Sequence, residues 1–174
     1  MKELIQNREM KETNKNRQKI KTIMEYVLIA LIPVVFFLLF RITAVNGESM
    51  SPKYHDGNLL LAGNFLKADR GDVIAVKAKI DGEDTNLIKR VIGLGGDTID
   101  IRQGKVYVNG EELDEPYIKE EMREYKDSIA FPYTVPEGDI FVMGDNRNNS
   151  IDSRSKHTAP IKESDVIAVV LFSL

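Results

Sequence analysis

The chain has 174 residues, 24 of them Lys or Arg and 27 Asp or Glu, for a formal net charge of -3. That length suits one ordinary domain plus an appendage, and no basic stripe interleaved with aromatics calls for a nucleic-acid partner. Cysteine is absent, which excludes a disulfide framework, a thiolate metal site and a cysteine nucleophile. With only His55 and His157 besides, neither a metal nor a cofactor is expected.

Residues 1–22 are polar and carry Lys2, Arg8, Lys11, Lys15, Arg17, Lys19 and Lys21 against Glu3, Glu9 and Glu12. The next stretch, "IMEYVLIALIPVVFFLLFRITAV", has an uncharged run from Tyr26 to Phe40 that falls short of the roughly 20 residues of a membrane crossing. Glu25 and Arg41 lie near its ends, where charged heads reach the interface, so residues 23–45 are expected to form one transmembrane anchor. Pro33 is tolerable there. The basic flank precedes the span, which predicts a cytoplasmic N-terminus and an extracytoplasmic domain over 46–174. A cleavable signal ending at the small residues Val45 and Gly47 is the alternative. The leading polar segment and the apolar stretch are both longer than such a signal uses, which favours a retained anchor.

From residue 58 onward, period-two alternation broken by Gly, Asp and Asn predicts short strands. "NLLLAGNFLK" and "GDVIAVKAK" are two of them, separated by "ADRGD". "DTIDIRQGKVYVNGEEL" reads as a hairpin turning at Gln103-Gly104, with a second turn at Asn109-Gly110. Residues 114–128 are highly charged and are expected to be a surface excursion. "IAFPYTV" and "DIFVMGDN" return to strand, and "DVIAVVLFSL" is expected to close the chain as a buried strand. The fold class is mainly β, an antiparallel sheet domain behind one N-terminal transmembrane helix.

Three stretches are richer in polar groups than strands need: "GESMSP" at 47–52, "LIKRVIGLGGD" at 87–97, and "GDNRNNSIDSR" at 144–154. The last could be a solvated turn or a network that orients a site. A calcium loop is discounted, because Arg147 stands where an oxygen ligand belongs. Ser49 could be a turn residue or a nucleophile. A Ser-His-Asp triad finds no suitably spaced base in His55 or His157, which leaves Lys89. Alternation puts Leu87, Lys89 and Val91 on one face and Ile88, Arg90 and Ile92 on the other. Such a strand admits a lysine turned to water. It also admits a desolvated amine whose lowered pKa lets it accept a serine proton.

Taken together, the three stretches resemble the type I signal peptidases, membrane-anchored serine–lysine proteases, and the short single anchor is similar to the Gram-positive form. "ESMSP" resembles the nucleophile motif, with Ser49 attacking. "RGDVIAV" resembles the Arg-Gly-Asp strand motif, and "KRVIGLGGD" the motif whose first lysine, Lys89, is the general base. "GDNRNNSIDSR" resembles the last motif, in which Ser150, Asp152 and Arg154 support the lysine. Gly95 stands where the family commonly has proline, and Lys53-Tyr54 replaces Thr-Leu. Gly47 occupies the position where some members have a serine oxyanion donor, so the resemblance leaves the oxyanion to the backbone N–H of Ser49. It further implies preproteins as substrates at the export site, cleavage after small residues, and membrane lipid around the anchor. Two rival readings stay open at this point: another Ser–Lys peptidase of the same fold, or a membrane-tethered β domain that binds without catalysis.

Overall fold

The computed structural model describes the backbone of residues 1–174 and every side chain except those of 2–9 and 11–13. Lys2, Arg8 and Lys11 of the expected basic flank thus lie outside the described side chains. The chain divides into two units, Met1–Leu39 and Phe40–Leu174. The first is one helix, α1 (Lys2–Leu39), with Pro33 inside it. Its segment Asn14–Leu39, 26 residues, is long and apolar enough to cross a membrane.

The helix stops earlier than the expected anchor. Residues 40–44 form strand β1 (Phe40–Ala44), paired antiparallel with β2 (Leu59–Gly63) from Phe40↔Gly63 to Ala44↔Leu59. An apolar edge strand follows an apolar helix here, so hydropathy runs on across the boundary. The β domain accordingly takes in the last residues of the predicted span.

The larger sheet has the order β1-β2-β11-β3-β4-β9-β10. Its centre is β3 (Val73–Ile80) against the long β4 (Glu83–Leu94), in register from Val73↔Arg90 to Ile80↔Glu83. The other members are β9 (Asp139–Met143), β10 (Ile161–Lys162) and β11 (Val166–Ser173). The smaller sheet, β7-β6-β5-β8, contains β5 (Thr98–Arg102), β6 (Lys105–Val108), β7 (Glu111–Glu112) and β8 (Tyr133–Thr134). Its two predicted turns form as the sequence demands. Gln103-Gly104 and Asn109-Gly110 have positive φ throughout (51°, 78°, 55° and 87°), the hand that matches strand twist.

Alternation sorts the apolar side chains into three clusters. Ile74, Val76, Val91, Val142 and Val169 pack on one face of the large sheet, with Leu87 against them. Ile92, Phe141 and Met143 pack with Ile99, Val106 and Val108 of the small sheet. There Gly93 passes so close that a Cβ would stand 2.6 Å from Ile99 Cδ1. Val45, Met50, Tyr54, Leu60 and Val73 make the third cluster, with Ile88 beside them.

Two expectations are corrected. Strand β11 is buried only at Ala168 and Val169, and Leu171, Phe172 and Leu174 are exposed, because its far end pairs only with the short β2 near the sheet margin. The 114–128 segment is not simply a surface excursion. Met122 is buried, and Glu115 and Tyr117 reach inward to bind arginines.

Candidate active site

The loop between β1 and β2 carries Ser49, and its ends are tied by Val45 N–H to Asn58 C=O and Gly57 N–H to Val45 C=O, both 2.9 Å. Met50 is fully buried and pins the loop to the core just after the serine. Gly47 has φ of +80° and donates its N–H to Asp56 Oδ1 at 2.7 Å. His55 Nδ1 lies 3.1 Å from Glu48 Oε2, and this hydrogen bond holds the Glu48 carboxyl below its ordinary pKa. Among the described residues no atom lies within 4 Å of where a Cβ on Gly47 would project. The N–H of Ser49 has no hydrogen-bond partner among the described residues.

Lys89 projects from β4 opposite Ile74. Pairing of β4 with β9 begins only at Arg90↔Met143, so Lys89 sits where β9 gives way to the 144–154 loop. Lys89 is 3 % exposed, and its ammonium group donates to Ser49 Oγ at 2.7 Å and to Ile88 C=O at 3.1 Å. Burial lowers its pKa from 10.5 to about 8; the Asp152 charge opposes this, Arg154 adds to it, and Asp145 opposes it. Desolvation dominates, since among the described residues no carboxylate touches the nitrogen to restore its charge.

Most of the 144–154 loop is buried, with Asn149 and Ile151 exposed. Asp152 accepts from Arg154 Nε at 2.8 Å and from Nη2 at 2.8 Å, and Gly144 N–H donates to Asp152 Oδ2 at 3.0 Å. Burial would raise the Asp152 carboxyl, but the hydrogen bond and charge of Arg154 outweigh it and hold the pKa down. Arg154 also lies 4.9 Å over the Tyr125 ring. Ser150 Oγ is buried with no hydrogen-bond partner among the described residues, against Gly144. The structure thus brings Ser49 and Lys89 into contact and gathers Ser150, Asp152 and Arg154 behind them.

Several residues here escape a sequence reading. Arg90 donates to both oxygens of Asp145, at 2.8 and 2.6 Å, and stacks 3.9 Å over Tyr117. Burial lowers the Arg90 pKa, and Asp145 more than reverses that, leaving it raised. Arg147, 1 % exposed, pairs with Glu115 through both terminal nitrogens. Burial and the Glu115 charge raise the Tyr117 hydroxyl pKa. Asp145 and Arg147 lie inside a motif and could have been suspected. Glu115 and Tyr117 carry no signal in a run of charges.

Alongside Ser49 and Lys89 opens a cleft of about 390 Å³. Ile42, Ala44 and Asn46 line one wall and Asn86 and Ile88 the other, over a floor that includes Ala62, Ala75 and Ala168. Both walls are strands with an unpaired edge nearby: β1 ends the sheet, and among the described residues β4 before Arg90 has no partner on the β9 side.

The signal peptidase (peptidase S26) family model matches residues 16–174. Among similar proteins, signal peptidase I U of Bacillus subtilis is 36 % identical, over 89 % of this chain and 88 % of its own. Signal peptidase I of Streptococcus pneumoniae is 32 % identical, over 84 % and 86 %. A crystal structure of a signal peptidase I from Enterococcus faecalis, 33 % identical, superposes with a TM-score of 0.50 over 61 % of this chain and 98 % of its own. The chain belongs to the type I signal peptidases of the S26 peptidase family.

Proposed function

We propose that the chain removes N-terminal signal peptides from preproteins with Ser49 as nucleophile and Lys89 as general base. The observation that carries this reading is the 2.7 Å contact between Lys89 Nζ and Ser49 Oγ at a nitrogen withdrawn from water. With a pKa of about 8, about a tenth of the amine is neutral at pH 7. That neutral form takes the Ser49 proton as Oγ bonds to the scissile carbonyl carbon. The oxygen of the tetrahedral intermediate accepts from the Ser49 N–H. The ammonium then returns the proton to the leaving amine, and the peptide bond breaks to leave an acyl-serine. Water, deprotonated by Lys89, then attacks that ester; as the Oγ–acyl bond breaks, Lys89 returns the proton to Ser49 Oγ and the signal peptide leaves with its new carboxylate. Ser150, Asp152 and Arg154 support the lysine from behind.

An extended substrate lies in the cleft as an added strand, gripped by backbone hydrogen bonds along the free edges. The alanine floor leaves shallow space, which suits small side chains next to the cut. The apolar helix anchors the chain as a single span. Its basic flank keeps the N-terminus cytoplasmic and the β domain on the extracytoplasmic side, where preproteins emerge amid membrane lipid.

The test is cleavage of a purified preprotein by the detergent-solubilised chain. Wild type is expected to cut after a small residue, and Ser49→Ala and Lys89→Ala to leave the preprotein intact while melting cooperatively. Lys89→Arg is expected to fail as well, because a guanidinium does not deprotonate. Normal cleavage by Ser49→Ala would refute the dyad.

A further inference from the structure

Ser49 presents a single amide N–H, and that group is one end of the Glu48–Ser49 peptide unit. A trans peptide is planar, with its C=O and N–H directed oppositely, so whatever holds the Glu48 carbonyl also aims the Ser49 N–H. Two donors hold that carbonyl: Ser51 N–H at 3.2 Å and the side-chain amide of Asn146, through Nδ2, at 3.0 Å. Asn146 also gives its own N–H to the Ser49 carbonyl at 3.0 Å. One residue therefore grips the carbonyls on both sides of the serine.

Asn146 is itself firmly held. It is 4 % exposed, and its carbonyl accepts from Asn149 N–H at 3.0 Å. On one side Asp145 is bound to Arg90, the neighbour of Lys89. On the other Arg147 is bound to Glu115 and donates through Nε to Gly144 C=O at 3.1 Å. The run 145–147 thus references the serine peptide to the strand that carries the lysine.

We propose that Asn146 is a positioning residue for the oxyanion donor: its side-chain amide orients and polarises the Glu48–Ser49 peptide so that the Ser49 N–H meets the charge developing on the substrate carbonyl. The proposal rests on Ser49 being the nucleophile. A hydrogen bond to a peptide carbonyl draws density from the amide nitrogen and strengthens the N–H as a donor. Gly47 adds no side-chain donor, so this one N–H carries the load. Because negative charge develops on that oxygen only after attack begins, in the transition state and the tetrahedral intermediate, the effect belongs to kcat rather than to substrate binding.

The experiment compares Asn146→Ala and Asn146→Asp with wild type, as full chains in detergent, on a signal-peptide-derived peptide. Both variants keep the main-chain bond to Ser49 and lose the neutral amide donor. Expected is a fall in kcat of about ten- to a hundredfold, below the loss for deleting an oxyanion donor outright, with KM changed less than about threefold. Affinity for a peptide aldehyde, which Ser49 Oγ adds to as a tetrahedral adduct, should fall in proportion to kcat. Unchanged kcat, or a loss confined to KM or to the number of titratable sites, overturns the assignment. Should neither variant fold, the wild-type Ser49 amide nitrogen resonance decides it. A downfield displacement supports a polarised peptide, and a random-coil position refutes one. Ser49→Ala separates the two readings. If it cleaves normally, both fail; if it is inert while Asn146→Asp matches wild type, only the role of Asn146 fails.

Discussion

Lys89 Nζ and Ser49 Oγ, 40 positions apart in the chain, stand 2.7 Å from one another in a place where the amine has almost no water. The pH dependence of cleavage follows from that pairing. Protonated Lys89 cannot accept the serine proton, so kcat/KM should rise about tenfold per pH unit on the acid side and level off above a midpoint of about 8. Initial rates from pH 5 to 10 measure it. A midpoint near 6.5, the ordinary histidine value, would point to a different base.

The same burial costs stability. Folded Lys89 releases its proton at about 8, whereas in the unfolded chain it does so at 10.5. Between these values the unfolded state holds more protons, so stability rises with pH across that window. Below 8 both states are charged and the full cost is present; above 10.5 it is gone. Lys89→Met, similar in volume and uncharged, should gain up to about 3 kcal/mol at pH 7, with the gain vanishing toward pH 10.5. Melting in detergent at several pH values gives the difference. An equal gain at every pH would assign it to packing instead.

Asp152 acts on both the lysine and the loop. Its charge raises the Lys89 pKa, so Asp152→Asn should move the acid limb of the rate profile below 8. The change also leaves Arg154, fully buried, without its carboxylate, and breaking a buried pair costs about 3–5 kcal/mol. A variant that melts lower but keeps the wild-type midpoint would confine Asp152 to a structural part.

Asp145→Ala should be among the most damaging single changes away from the dyad. It strands the guanidinium of Arg90, a residue 7 % exposed, whose remaining hydrogen bond among the described residues goes to Gly71 C=O at 2.7 Å. The expected loss is again about 3–5 kcal/mol, with activity falling because the 145–147 run loses its tie to β4. Chemical denaturation measures the first and preprotein cleavage the second.

Much of this was legible without coordinates. A polar head, an apolar run and then period-two alternation are one-dimensional signals of helix and strand, and they forecast an anchor followed by an antiparallel β domain. Leu87 and Val91 fall in one cluster while Ile88 and Ile92 line the other face, as alternation requires. The motif order around Ser49, Lys89 and residues 144–154 pointed to the family before any distance was known.

What periodicity could not supply was the partner of each polar group. An ion pair is a relation between two positions, and Arg90 finds Asp145 55 residues away while Arg147 finds Glu115 32 residues away. No local pattern distinguishes Glu115 from its solvated neighbours. Hydropathy likewise could not end the helix at Leu39, because strand and span are both apolar there. Local sequence order settled which kinds of segment the chain contains, since helical and strand periodicity are set by residues close together in the chain. Whether Lys89 meets water or Ser49 was decided by tertiary structure, because the loops that exclude the water arrive from distant parts of the chain.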